Sequence, residues 1–198
     1  MAGSDTHFAR LVSLACHDLR TPLATVHGFA RTLTRLEDVG DPAARYLAMI
    51  EAASVQLTDL LDDLGLVARI EGERWEPNLQ ERDLGELAGE AFAELEAGEV
   101  ALSGGGAPVV VDEDAARRAL HGLARCALRH GGLERLEGEV DGGELRLAPV
   151  ADPVRPILLG EELRDLGAAV GVRVVRALGG SAEVEGETLV VRLPVASG

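Results

Sequence analysis

From Phe8 to Leu36, apolar or small residues recur at Phe8, Val12, Ala15, Leu19, Pro22, Val26, Phe29, Leu33 and Leu36, with gaps alternating between four and three. A seam of that period over four heptads predicts a long helix that packs lengthwise on others. Ser4 or Asp5 can cap its start. The segment Gly40-Asp41-Pro42 holds a C-cap glycine, an N-cap aspartate and a first-turn proline in the order that ends one helix and begins another. The next helix repeats the seam at Ala43, Tyr46, Ile50, Ala53, Leu57, Leu60, Leu64 and Val67, with Leu47 and Leu61 beside it. A short turn between long helices makes them antiparallel neighbours. Two helices alone cannot enclose a core, so a second hairpin from another copy is the expected lid, giving a homodimeric four-helix bundle.

After residue 72 the pattern changes. Residues 73–82, with Pro77 and Asn78, read as a linker. Asp83–Leu95 reads as a short helix. Val100–Leu102 and Pro108–Val111 read as strands flanking a Gly104–Gly106 turn. Asp112–His130 reads as a helix capped by Asp112. Glu139–Val140 and Leu145–Val150 read as strands, and Glu161–Leu178 as a helix. Ala182–Val184 with Thr188–Leu193 reads as a closing hairpin. Helices and strands in this order predict a small α/β sandwich over residues 83–198, with helices on one face of a sheet. The fold class is thus α+β, a helical hairpin (1–72) followed by a sandwich.

Composition narrows the function. Of 198 residues, 34 are acidic and 19 basic, a net charge of −15. That sign argues against a nucleic-acid partner. No apolar run is long enough to span a bilayer, and the N-terminus has no secretory layout, so a cytoplasmic chain without a membrane segment is expected. Cys16 and Cys126 form no disulfide framework and read as packing residues. His7, His27, His121 and His130 share no metal-like spacing and read as surface or cap residues. Gly104–Gly106 lacks the residues of a phosphate loop. Every basic residue is Arg, and Asn78 is the only Asn.

The chemistry concentrates in Ser13-Leu14-Ala15-Cys16-His17-Asp18-Leu19-Arg20-Thr21-Pro22-Leu23. The heptad phase points His17 away from the seam and sets Thr21 one turn further along the same face. Asp18 beside it can accept the proton of one ring nitrogen and leave the other as a nucleophilic lone pair. Pro22 withdraws a backbone donor and predicts a bend just past His17. This stretch resembles the H-box of bacterial sensor histidine kinases, and Leu66-Val67-Ala68-Arg69-Ile70-Glu71-Gly72 resembles that family's helix exit. The resemblance implies a dimerisation and histidine-phosphotransfer hairpin. In it His17 carries the phosphoryl group, Asp18 is its acid–base partner, and Thr21 positions water in a phosphatase reaction.

By the same resemblance, residues 83–198 correspond to a Bergerat-type ATPase domain with degenerate nucleotide motifs. The two Asn positions of its metal-binding helix fall on Gly122 and Cys126, and a thiol is a poor Mg²⁺ ligand. In the adenine-reading stretch Asp152 persists, but Val154 and Pro156 replace both glycines. Near the phosphates Gly167 persists, but Asp165 replaces the preceding glycine, and a carboxylate repels a triphosphate. The lid between Ile157 and Glu161 is nearly absent.

The expectation is therefore a histidine phosphotransferase that exchanges a phosphoryl group between His17 and a receiver-domain Asp. It has no cofactor of its own, and Mg²⁺ comes with the receiver of the response regulator. The bundle begins almost at Met1, which suits a free-standing relay component. The alternatives are a divergent kinase that autophosphorylates His17 with Mg²⁺-ATP, a response-regulator phosphatase acting through Thr21, and a non-catalytic dimeric adaptor.

Overall fold

The computed structural model describes residues 20, 23–24, 26–28, 30–31, 33–35, 41–95, 99–162 and 164–196. The chain divides into two compact units, Met1–Trp75 and Glu76–Gly198.

In the first unit, the described residues from Arg20 to Thr34 are helical, and α1 spans Asp41–Glu71. Arg20 pairs with Asp62, and Arg31 Nε lies 3.2 Å from Glu51 Oε1. Eleven residues forward on one helix correspond to eleven backward on the other, which fixes an antiparallel hairpin. These exposed pairs mark the register more than they stabilise it. The buried residues of this unit stand beside the predicted seam, and members of the seam itself remain exposed. Ala30, Leu66 and Ala68 are buried, as is Ser54, whose hydroxyl donates to the Ile50 carbonyl at 2.7 Å. Ile50, Leu57 and Leu64, seven residues apart, remain 45%, 51% and 37% exposed, and Val26 and Leu33 on the first helix are exposed too.

The second unit carries five strands in the order β2-β4-β5-β7-β6: β2 (Val100–Gly106), β4 (Leu136–Gly142), β5 (Glu144–Ala148), β7 (Thr188–Arg192) and β6 (Ser181–Glu185). Only β2 and β4 run parallel; the other neighbours are antiparallel. A separate pair joins β1 (Leu79–Asp83) to β3 (Pro108–Asp112). Along β4, Leu136, Gly138 and Val140 turn inward while Glu137, Glu139 and Asp141 face solvent, the alternation of a sheet covered on one side. The core on that side is completed by α2 (Leu84–Phe92), α3 (Glu113–Gly131) and α5 (Leu166–Ala177). α3 lies between the other two. Asp112 caps α3, accepting from Ala115 N at 3.1 Å. Its second oxygen accepts from Asn78 N at 2.9 Å and ties the start of β1 to the helix.

Three boundaries differ from the sequence reading. Residues 79–82, expected as linker, belong to β1 because β3 offers them a complete antiparallel partner. The glycines 104–106, expected as a turn, continue β2. Gly104 has φ +89°, and a Cβ there would lie 2.1 Å from the Val140 carbonyl oxygen, so glycine is needed for close backbone approach rather than reversal. The last long helix starts at Leu166 instead of 161, because Asp165 caps it by accepting from Ala168 N at 3.0 Å. Among the described residues no helix is long and apolar enough to cross a membrane.

Candidate functional site

His17, Asp18 and Thr21 lie outside the described residues, as do Cys16 and Pro22. Arg20 is described, and its ion pair with Asp62 places that part of the motif against the second half of α1.

The positions that the family resemblance assigns to nucleotide binding all lie in the second unit. Gly122 is on α3 and Gly167 is in the first turn of α5. A Cβ on Gly122 would lie 2.7 Å from the Gly167 carbonyl oxygen, and one on Gly171 would lie 2.9 Å from the Ala119 carbonyl oxygen. The two helices thus touch backbone to backbone, with no room between them at Gly122. Four residues along α3 from Gly122, Cys126 is fully buried. The Asp165 side chain, also buried, closes the same region from the start of α5. Its Oδ2 lies 3.2 Å from His130 Nε2. Burial pushes the Cys126 thiol up to about 12, and the Asp165 carboxylate adds to the shift; Arg125 and Arg129 oppose it. At neutral pH this side chain is a thiol, with neither the charge nor the oxygen that a hard cation requires.

The adenine-reading stretch is rearranged as well. Asp152 opens a 3-10 turn (Asp152–Val154) and points to solvent, 3.6 Å from Arg155 Nη2. Val154, where the family has a glycine, is buried near the end of α3, and a Cβ on Gly131 would lie 3.9 Å from it. Pro156 sits in the short helix α4 (Arg155–Leu158), whose Ile157 and Leu158 are buried. Apolar side chains therefore fill this part of the fold, and its one carboxylate faces outward.

His130 was expected at the surface or in a cap, and Cys126 in simple packing. The structure joins them with Asp165 in one cluster, whose ligand atoms all lie within 4.8 Å of one another. The i, i+4 spacing of Cys126 and His130 on a helix was the available signal. Asp165 approaches from another element, and nothing local in the sequence announces it.

Residues 9–73 match the His Kinase A (phospho-acceptor) domain family. The chain is 30% identical over 223 residues to Histidine protein kinase DivJ of Caulobacter vibrioides, covering 94% of this chain and 37% of that protein. It is 43% identical over 74 residues to Sensor histidine kinase TrcS of Mycobacterium tuberculosis, covering 35% of this chain and 14% of that protein. Among solved structures, full-length ShkA in complex with AMPPNP aligns with a TM-score of 0.71 at 22% identity, over 96% of this chain and 46% of that one. Acinetobacter baumannii histidine kinase AdeS aligns at 0.56 with 17% identity, over 91% and 98%. A phosphoacceptor hairpin followed by an ATPase-like α/β unit defines the class: a protein of two-component signal transduction. Residues 9–73 belong to the His Kinase A family, and the chain as a whole is similar to sensor histidine kinases. It matches between 14% and 37% of the length of these curated relatives.

Proposed function

We propose that the chain is a histidine phosphotransferase that relays a phosphoryl group between receiver domains and runs no ATP chemistry of its own. In the forward step a ring nitrogen of His17 attacks the phosphorus of a receiver's aspartyl phosphate. The P–N bond forms, the P–O bond breaks, and the receiver's carboxylate leaves with the bond's electrons. Asp18 holds the proton on the other ring nitrogen, so the attacking nitrogen keeps its lone pair. The return step delivers the group to a second receiver's Asp. Mg²⁺ bound by the receiver neutralises the phosphoryl oxygens. Thr21, four residues after His17 in the sequence, orients water when the same surface dephosphorylates a receiver.

The observation that carries this reading is the backbone contact of Gly122 with Gly167, with buried Cys126 and Asp165 beside it. Those positions correspond by family resemblance to the metal and phosphate contacts of an ATP site. The outward Asp152 and buried Val154 support the same conclusion at the adenine end. The exposed line of Ile50, Leu57 and Leu64 supports a homodimer in which a second hairpin covers it. The free, buried Cys126 suits a reducing cytoplasm.

The experiment is phosphotransfer from a receiver pre-labelled with acetyl phosphate. Label is expected on the wild-type chain and absent from His17→Ala. Incubation with labelled Mg²⁺-ATP alone is expected to leave both unlabelled. Failure of wild type to accept label from any receiver tested, or equal labelling of His17→Ala, would end the relay reading. Label reaching His17 from ATP without a receiver would replace it with a kinase.

A further inference from the structure

Two side chains four residues apart on a helix stack on one face. On α3 those residues are Cys126 and His130, and the capping carboxylate of α5 meets them from across the interface. A thiol, an imidazole and a carboxylate thus converge within 4.8 Å. Cys126 and Asp165 are buried, while His130 lies at the rim with its side chain 24% exposed. The geometry points to a zinc-class divalent cation site formed by Cys126 Sγ, His130 Nε2 and Asp165 Oδ2, joining α3 to the start of α5.

The distances suit that ion. In a tetrahedral zinc site with Zn–N and Zn–O bonds of about 2.0–2.1 Å, adjacent nitrogen and oxygen ligands stand about 3.3 Å apart. His130 Nε2 and Asp165 Oδ2 stand 3.2 Å apart. A thiolate bond of about 2.3 Å sets the sulfur-to-nitrogen edge near 3.5 Å, so Sγ needs to close by about 1.3 Å at most from the 4.8 Å limit. Sulfur and imidazole select zinc-like ions over Mg²⁺. Asp165 Oδ1 stays engaged with Ala168 N, which orients the carboxylate and leaves Oδ2 for the metal. Water would complete the shell as a fourth ligand, and the partly exposed His130 side chain is the solvent-facing member of the cluster.

Binding releases the Cys126 thiol proton to solvent. The hydrogen between Nε2 and Oδ2 moves to Nδ1 of a neutral ring, or leaves to solvent from a doubly protonated one. Two ionised ligands, thiolate and carboxylate, balance the dication in the neighbourhood of Arg125 and Arg129. The bound ion also reverses the electrostatics that otherwise keep the thiol protonated. The inference stands independently of where the phosphoryl group travels.

The test uses the full chain, stripped with a chelator and titrated with Co²⁺ and Zn²⁺. One equivalent is expected, with thiolate-to-cobalt charge-transfer absorption, and Zn²⁺ is expected to raise the melting temperature. Cys126→Ser is expected to abolish the absorption and His130→Asn to weaken Zn²⁺ binding at least tenfold. Loss in Cys126→Ser also separates this site from one at Cys16. The rim position of His130 lets His130→Asn keep its fold, checked by circular dichroism, if the buried variant loses it. No cobalt–thiolate absorption in wild type, or unchanged Zn²⁺ binding in folded His130→Asn, would overturn the site.

Discussion

Cys126 shows how one residue can be legible in kind and illegible in company. Its place on the apolar side of a helical pattern predicts burial, and it is fully buried. Its neighbour Asp165 lies on a different element, and no local period links the two. The pairing has a measurable outcome. In the metal-free native chain Cys126 is expected to react with iodoacetamide far more slowly than after denaturation, read by mass spectrometry. The sign of its alkaline effect follows from the raised pKa. The ordinary value is 9.0 and the folded value about 12, so the buried thiol's contribution to stability is complete below pH 9 and is lost as pH rises toward 12. Urea midpoints of wild type are expected to fall over that range more steeply than those of Cys126→Ala. Asp112 is the opposite case. Its capping role is written in the residues that follow it, and the structure has the carboxylate on Ala115 N.

At the scale of elements, the sequence pattern places the helix before Gly72, the helix after Asp112 and the closing hairpin because their periodicities are internal. It misreads elements whose form depends on a distant partner. The glycines of β2 look like a breaker until β4 is set beside them, where Gly104 permits an approach that no side chain would. β1 looks like linker until β3 pairs with it. The contact of α3 with α5 is equally non-local, and it can be probed directly. Gly122→Ala places a methyl group against the Gly167 backbone, and the helices must part to admit it. The expected destabilisation is about 1–3 kcal/mol by urea denaturation, with no ATP binding gained by calorimetry. A neutral result would mean that the helices pack more loosely than their backbones indicate.

For the whole molecule, the exposed apolar line on α1 and a net charge of −15 act in opposite directions on self-association. The apolar line favours a second copy, each half-exposed Leu or Ile adding on the order of 1 kcal/mol when covered. The like charges oppose it and are screened by salt. Wild type is therefore expected to run as a dimer in light scattering, more tightly at higher ionic strength. Leu57→Glu with Leu64→Glu is expected to shift it to monomer while the sandwich unit keeps its strand signal in circular dichroism. A monomeric wild type at micromolar concentration would contradict the bundle. The matched steps of Arg20–Asp62 and Arg31–Glu51 carry a consequence for how this chain tolerates changes of length. A residue inserted after Thr34 and before Asp41 leaves both pairings in phase. One inserted between Glu51 and Leu57 turns everything beyond it on α1 by about 100°. It draws Asp62 away from Arg20 and swings Leu57 and Leu64 off the line of Ile50. A single extra codon between Glu51 and Leu57 thus disturbs the hairpin and its outward face together, whereas one between Thr34 and Asp41 leaves their phase unchanged.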